Sequence, residues 1–177
     1  GGLKQQVGAG LTKKTVDGRT PKEQIVACYD IVREQESAQH EIFVQLREAL
    51  SDHDIRILDY AQLNREDRDY LRNHFHDNVF PLVTPQSIDP AHPFPFISNH
   101  SLNLLVQVRF PNQDARTSLA RVKIPTTGHV KRFIQLPDRT HFVPIEEVIR
   151  NNLDMLMPEM EVVSVYFFRV TRNANTE

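Results

Sequence analysis

Residues 79–100 read VFPLVTPQSIDPAHPFPFISNH. Pro81, Pro85, Pro90, Pro93 and Pro95 all fall within the first seventeen positions of that stretch. Each proline fixes φ and removes a backbone donor. Each also pushes the residue before it toward extended geometry. The stretch is therefore neither a helix nor a central strand. Nor is it a polar linker, because Val79, Phe80, Leu82, Val83, Ile88, Phe94, Phe96 and Ile97 call for burial. A flexible tether would be rich in Gly and Ser. The segment reads as a rigid, ordered connector pressed between two bodies. Phe94 and Phe96 lie two apart on extended backbone, which sends both rings to one side. Both are expected to pack inside the chain or in a subunit contact.

The flanks of the connector differ in charge. Residues 21–80 hold thirteen acids against seven Lys and Arg, and residues 101–177 hold ten bases against eight acids. That asymmetry places a domain boundary at 78/79, giving domains 1–78 and 79–177. Net charge over the 177 residues is −2, so bulk electrostatics make no case for nucleic acid. The one cysteine, Cys28, allows no internal disulfide. No run of about 18 apolar residues is present to span a bilayer. The chain starts without Met and reads as cut from something longer.

Before the connector the pattern is helical. Gly1, Gly2, Gly8, Gly10 and Gly18 make residues 1–19 a basic, loop-like lead-in. Thr20, Pro21 and Glu23 form a helix start, with Thr20 as cap and Glu23 completing a capping box. Apolar residues then recur at mostly helical spacing from Ile25 to Leu50. The expected helix covers residues 21–50, about 45 Å at 1.5 Å per residue. After a short apolar crossing at Ile55 to Leu58, Asn64 caps a second helix whose buried face is Tyr70, Leu71 and Phe75. The two form a helical hairpin, the end of a truncated helical domain.

After Asn99 the pattern turns to strands. Residues 102–108, 119–124 and 132–136 read as three strands of an antiparallel meander, with turns at 111–114 and 126–129. Residues 144–157 read as one helix, and VVSVYFFRV at 162–170 as a central strand, apolar on both faces. The expected fold is α+β: a helical hairpin, then a mainly antiparallel sheet carrying one main helix.

No nucleophile arrangement, metal motif or phosphate-binding glycine loop is legible. The residues with the best case for meeting an anion are basic ones on strands. Arg121 and Lys123 share a face by the period of two, Lys131 and Arg132 are adjacent, and Arg169 and Arg172 flank Thr171 at the exit. Arginine suits planar, bidentate contact with phosphate oxygens. His92, within Asp89-Pro90-Ala91-His92-Pro93, is expected to hold a loop by hydrogen bonds rather than to react.

The connector resembles the segment leading into the head domain of bacterial polyphosphate kinases. That family reads close to F-P-x-L-T-P-x-x-x-D-P-x-H-P-F-P-F-I-S-N. Phe80, Pro81, Thr84, Pro85, Asp89, Pro90, His92, Pro93, Phe94, Pro95, Phe96, Ile97, Ser98 and Asn99 match it. FRVTRNA at 168–174 is similar to the family's exit from its head domain, and GLKQQV at 2–7 to the end of its early helices. The resemblance implies a parent enzyme that reversibly moves the terminal phosphate of ATP to polyphosphate through a phosphohistidine, with ATP and Mg²⁺ as cofactors. It implies that the catalytic histidine and the arginines for magnesium and phosphate lie beyond Glu177. The asparagine near the nucleotide base would lie before Gly1. No catalytic residue and no cofactor site is therefore assigned to this chain, which alone is expected to be inactive. The implied role is a scaffold that shapes the tunnel and pairs subunits in a cytoplasmic homo-oligomer. Its implied partners are the remaining catalytic domains and polyphosphate. In that reading Arg172 faces the phosphate route, with Arg169 supporting it or the domain contact. The rival reading is a stand-alone anion-binding or protein-interaction module without catalysis.

Overall fold

The computed structural model describes residues 2–111, 117–126, 130–137 and 139–171. The chain divides into two compact units between His53 and Asp54.

The first unit is helical. Helix α1 covers Gly2–Gly8 and α2 covers Pro21–Ser51. Gly18 turns the chain between them at φ 75°, where a side chain would be strained. The expected cap is present in full. Thr20 Oγ1 accepts from the Glu23 N–H at 3.3 Å, and the Thr20 N–H donates to Glu23 Oε2 at 2.7 Å. Of α2 only Pro21 is buried, and Tyr29, Ile42, Phe43 and Leu46 are exposed. A helix of this length carrying an uncovered apolar stripe owes little of its stability to its own unit.

The second unit holds two sheets. In the first, β2 (Pro85–Ile88), β3 (Leu102–Arg109), β4 (Thr117–Lys123) and β7 (Glu161–Arg169) lie in the order β2-β4-β3-β7, all antiparallel. In the second, β1 (Arg56–Ile57), β5 (Phe133–Gln135) and β6 (His141–Pro144) lie in the order β1-β6-β5. There β1 runs parallel to β6, and β5 antiparallel. Helices α3 (Arg65–His74), α4 (Ile145–Arg150) and α5 (Leu153–Leu156) complete the unit. One core joins these layers. It takes Leu71, Phe75 and Val79 from the α3 segment, Leu104, Val106 and Val122 from the first sheet, Ile134 and Val143 from the second, and Val148 and Ile149 from α4.

The α+β class is as expected, and so is the Asn64 cap, whose Oδ1 accepts from the Asp67 N–H at 2.8 Å. Several details differ. The division falls earlier than 78/79, because β1 pairs with β6 and Leu71, Phe75 and Val79 sit in the sheet unit's core. Strand β5 leaves the expected meander for the second sheet. The helix at 144–157 is broken: Asn151 and Asn152 leave helical geometry, and their side-chain amides donate back to Glu147 O and Val148 O at 2.8 Å each. Short amide side chains compete with the helix in this way. Among the described residues strand β7 pairs with β3 alone and is an edge strand; apolar residues on both faces did not mean strands on both sides. Tyr70 is exposed. The lead-in 2–8 is helical rather than loop. Of the two expected turns, residues 112–114 and 127–129 lie outside the described residues.

The connector is ordered as expected but buries fewer rings. Val83 and Ile97 are buried, while Phe94 is 55% and Phe96 75% exposed within this chain. Proline spacing fixed the backbone path but not what lies beside it. Phe94 does meet the Phe168 ring, centroids 6.1 Å apart. Pro85 opens β2 at a sheet edge, a position where a missing donor is tolerated. The Asp89 carboxylate closes the next turn, accepting from the Ala91 and His92 N–H groups at 2.8 Å each and lying 3.1 Å from His92 Nδ1. These bonds, the His92 side chain first, hold the Asp89 carboxyl below its ordinary range. His92 is thus a loop-holding residue.

Candidate functional site

The basic residues named from the sequence separate into three groups. Arg121 is on the face of the first sheet opposite the core and only 6% exposed. Its Nε donates to Asn103 Oδ1 at 2.8 Å and its Nη1 to Gln86 Oε1 at 2.6 Å. Those partners lie on β3 and β2, so the guanidinium bolts three strands together. Its acceptors are neutral amides, and burial pushes its pKa down. Lys123 stands exposed at the end of β4, opposite Asn103.

Arg132 and Arg169 come together elsewhere. Arg132 precedes β5, its carbonyl accepting from the Ile145 N–H at 3.0 Å. Its guanidinium pairs with Glu146 and lies over the Phe133 ring. Burial first, and the nearby Arg169 charge second, lower its pKa. Arg169 ends β7, exposed, with no carboxylate partner among the described residues. The Arg169 charge lies near enough to disfavour that of Arg132, whose carboxylate partner is Glu146, so Arg169 adds local positive charge for an anion. Arg172 lies outside the described residues.

Lys131 lines a third place, a groove of about 1050 Å³. Its floor includes Val79, Ile134 and Leu136. Its walls include Tyr70, His74 and Asn78 from the α3 side, Arg139 and Thr140 from the β5–β6 turn, and His141 from the start of β6. The α3 helix passes into a π-helical turn at Phe75–Val79, a feature frequent at functional sites. Tyr70 and His74 stack at 6.3 Å. Burial lowers the His74 pKa, opposed by the Asp77 charge and aided by that of Lys131, which favours the neutral ring. Arg139 is neutralised by Asp67, which is buried in the first turn of α3. Arg72 holds α3 to α5 through Asp154, Nη1 to Oδ1 at 3.0 Å, and holds that carboxyl below its ordinary range. Sequence reading missed the groove and both of these ion pairs, because each joins residues more than seventy positions apart. Among the described residues no group of three or more His, Cys, Asp or Glu is placed to hold a metal ion, and no helix is long and apolar enough to cross a membrane.

Two family models match in succession. The polyphosphate kinase N-terminal domain matches residues 1–58, and the polyphosphate kinase middle domain residues 66–177. The chain belongs to the polyphosphate kinase family. A polyphosphate kinase of Synechocystis is 44% identical over 98% of this chain. One of Mycolicibacterium gilvum is 40% identical over 99%. Each match spans 25% of the relative, so the chain covers about a quarter of the length of these family members. The crystal structure of polyphosphate kinase from Porphyromonas gingivalis superposes with a TM-score of 0.79 at 29% identity. That match covers 88% of this chain and 25% of the other. The resemblance carried by the connector thus extends along the chain and to the fold.

Proposed function

We propose that these residues are the helical and head portion of a cytoplasmic enzyme that reversibly transfers the terminal phosphate of ATP to polyphosphate through a phosphohistidine. Catalytic domains in the remainder of that enzyme supply the histidine, the nucleotide and the magnesium. This portion shapes the path of the polymer and contributes subunit contacts in a homo-oligomer. The observation that carries the reading is the succession of the N-terminal and middle domain models along one chain. No residue of this chain is assigned to magnesium or nucleotide.

Within that reading Arg169 meets the phosphate path. Polyphosphate offers repeated negative charge, which a line of cations holds. Arg169 is exposed beside Arg132, whose own charge Glu146 balances. Arg172 follows three positions later and is assigned to the same route. In the full-length enzyme, Arg169→Ala is expected to weaken polymer affinity about tenfold, the loss of one charge-assisted contact of about 1.5 kcal/mol, with the melting temperature nearly unchanged. Unchanged affinity with a lowered melting temperature would assign Arg169 to structure instead.

A further inference from the structure

We propose that the groove between α3 and the second sheet binds a small aromatic anion, a flat ring system carrying one carboxylate or phosphate group held by Lys131 and His74. Nothing in it depends on phosphate transfer.

The shape of the groove calls for a small apolar body. Ile134 pairs with Val143, and the Leu136 N–H donates to His141 O at 2.9 Å. Side chains alternate along a strand, so Ile134, Leu136, Val143 and His141 share one face of the sheet. Of these, Ile134 and Leu136 are buried and form the groove's apolar floor with Val79. Across from that floor, Tyr70, His74 and Asn78 recur every four residues along α3 and the π-helical turn. The stacked Tyr70 and His74 rings give that wall an aromatic surface. A volume of about 1050 Å³ is the scale of a small-molecule cleft, apolar with a few polar groups. A bare phosphate chain would leave the apolar floor in contact with water, so the groove does not suit the polymer. A ring lying on the floor and against the aromatic wall covers both.

The polar groups call for one negative charge. Asn78 Nδ2 donates to His74 O at 3.1 Å and lies 3.4 Å from His74 Nδ1. An amide NH₂ only donates, so Nδ1 accepts and Nε2 carries the ring proton. Nε2–H is then a donor with no acceptor among the described residues. Lys131 lies near enough for its charge to act on His74, and it has no carboxylate partner among the described residues. The acid nearest His74, Asp77, lies 2.8 Å from His76 Nδ1. Two free donors side by side, one of them charged, fit a single anionic group. The remaining charges of the groove limit it to one. Arg139 is neutralised by Asp67, and Asp54, beside Thr140, would repel a second anionic group. His141, on the floor's face, has a buried Nδ1 with no hydrogen-bond partner. Buried polar atoms are rarely left so, and the groove is incomplete without an occupant.

The test titrates the 177-residue chain with 2-naphthoate and with 2-naphthyl phosphate, read by calorimetry and by resonances of the His74 ring and the Ile134 methyls. Saturable binding at about a millimolar or tighter is expected for at least one, with shifts at both residues. The tighter of the two names the head group the site prefers. Neutral 2-naphthol should bind about tenfold more weakly, and Lys131→Glu, an exposed change outside the strands, should weaken the anion by at least as much. Inorganic phosphate alone should not saturate in the same range. In the full-length enzyme the Lys131-dependent binding is expected to persist. No saturable binding of either anion at several millimolar would overturn the proposal. So would equal binding of 2-naphthol, of inorganic phosphate or by the Lys131→Glu chain. Loss of the Lys131-dependent binding in the full-length enzyme would assign the groove to the remainder of that enzyme and also overturn it.

Discussion

Phe75→Ala is expected to cost the sheet unit about 3–5 kcal/mol, the range for truncating a fully buried phenylalanine. Phe75 has no exposed surface and belongs to the core shared by both sheets and α4. It is also where α3 gives way to the π-helical turn, so its ring sets how that turn enters the core. Its neighbours come from elements that are tied independently by ladder hydrogen bonds. They cannot close over the cavity without breaking those bonds, which places the cost toward the upper part of the range. Urea unfolding followed by circular dichroism measures the loss. Phe80→Ala, removing the half-open ring that meets Phe75 edge-on at 6.3 Å, should cost less than half as much. Equal losses would contradict the core assigned to this unit.

Asp67→Asn should cost about 2–3 kcal/mol, as expected for losing a hydrogen bond between charged groups when one is buried. The Asp67 side chain is 5% exposed and pairs with Arg139 across 72 positions of sequence. It also stands in the first turn of α3, where a negative charge is favoured. The asparagine keeps the shape but leaves the Arg139 charge without its partner. A double-mutant cycle with Arg139→Met separates the pair from the rest. The account expects the two changes together to cost less than their sum, because removing both charges leaves none uncompensated. Additive losses would show that the pair contributes nothing.

The elements of this chain were legible where local chemistry decides them. The Thr20–Glu23 capping box, the Asn64 cap and the start of β3 are all written within a few residues of where they act. The proline pattern correctly denied residues 79–100 a central strand, but not helical turns at their start: the π-helical turn ends at Val79, and Phe80–Leu82 form a 3₁₀ turn with Pro81 in its first positions, where a missing donor is tolerated. What escaped was what lies alongside each element. Phe94 and Phe96 call for burial by composition, yet little of this chain covers them. Strand β7 has the composition of a central strand and the position of an edge. The Asn151–Asn152 break depends on side chains turning back onto the helix. Among the candidate anion contacts, alternation correctly put Arg121 and Lys123 on one face, but only the fold showed Arg121 buried against Asn103 and Gln86. It likewise brought Arg169 to Arg132 and set Lys131 apart in the groove. The ion pairs Asp67–Arg139 and Arg72–Asp154 have no signature in a single sequence, because long-range partners leave no periodicity.

The central claim is that this chain is the non-catalytic helical and head portion of a polyphosphate kinase. The most direct test is incorporation of labelled phosphate from ATP into acid-insoluble polymer, with magnesium present. The 177-residue chain and the full-length enzyme containing it are compared at equal concentration. The account predicts polymer synthesis by the full-length enzyme and none by the chain alone, because the phosphorylated histidine and the magnesium site are assigned to the remainder of the enzyme. Labelled polymer made by the purified chain, or a full-length enzyme that makes none, would contradict it.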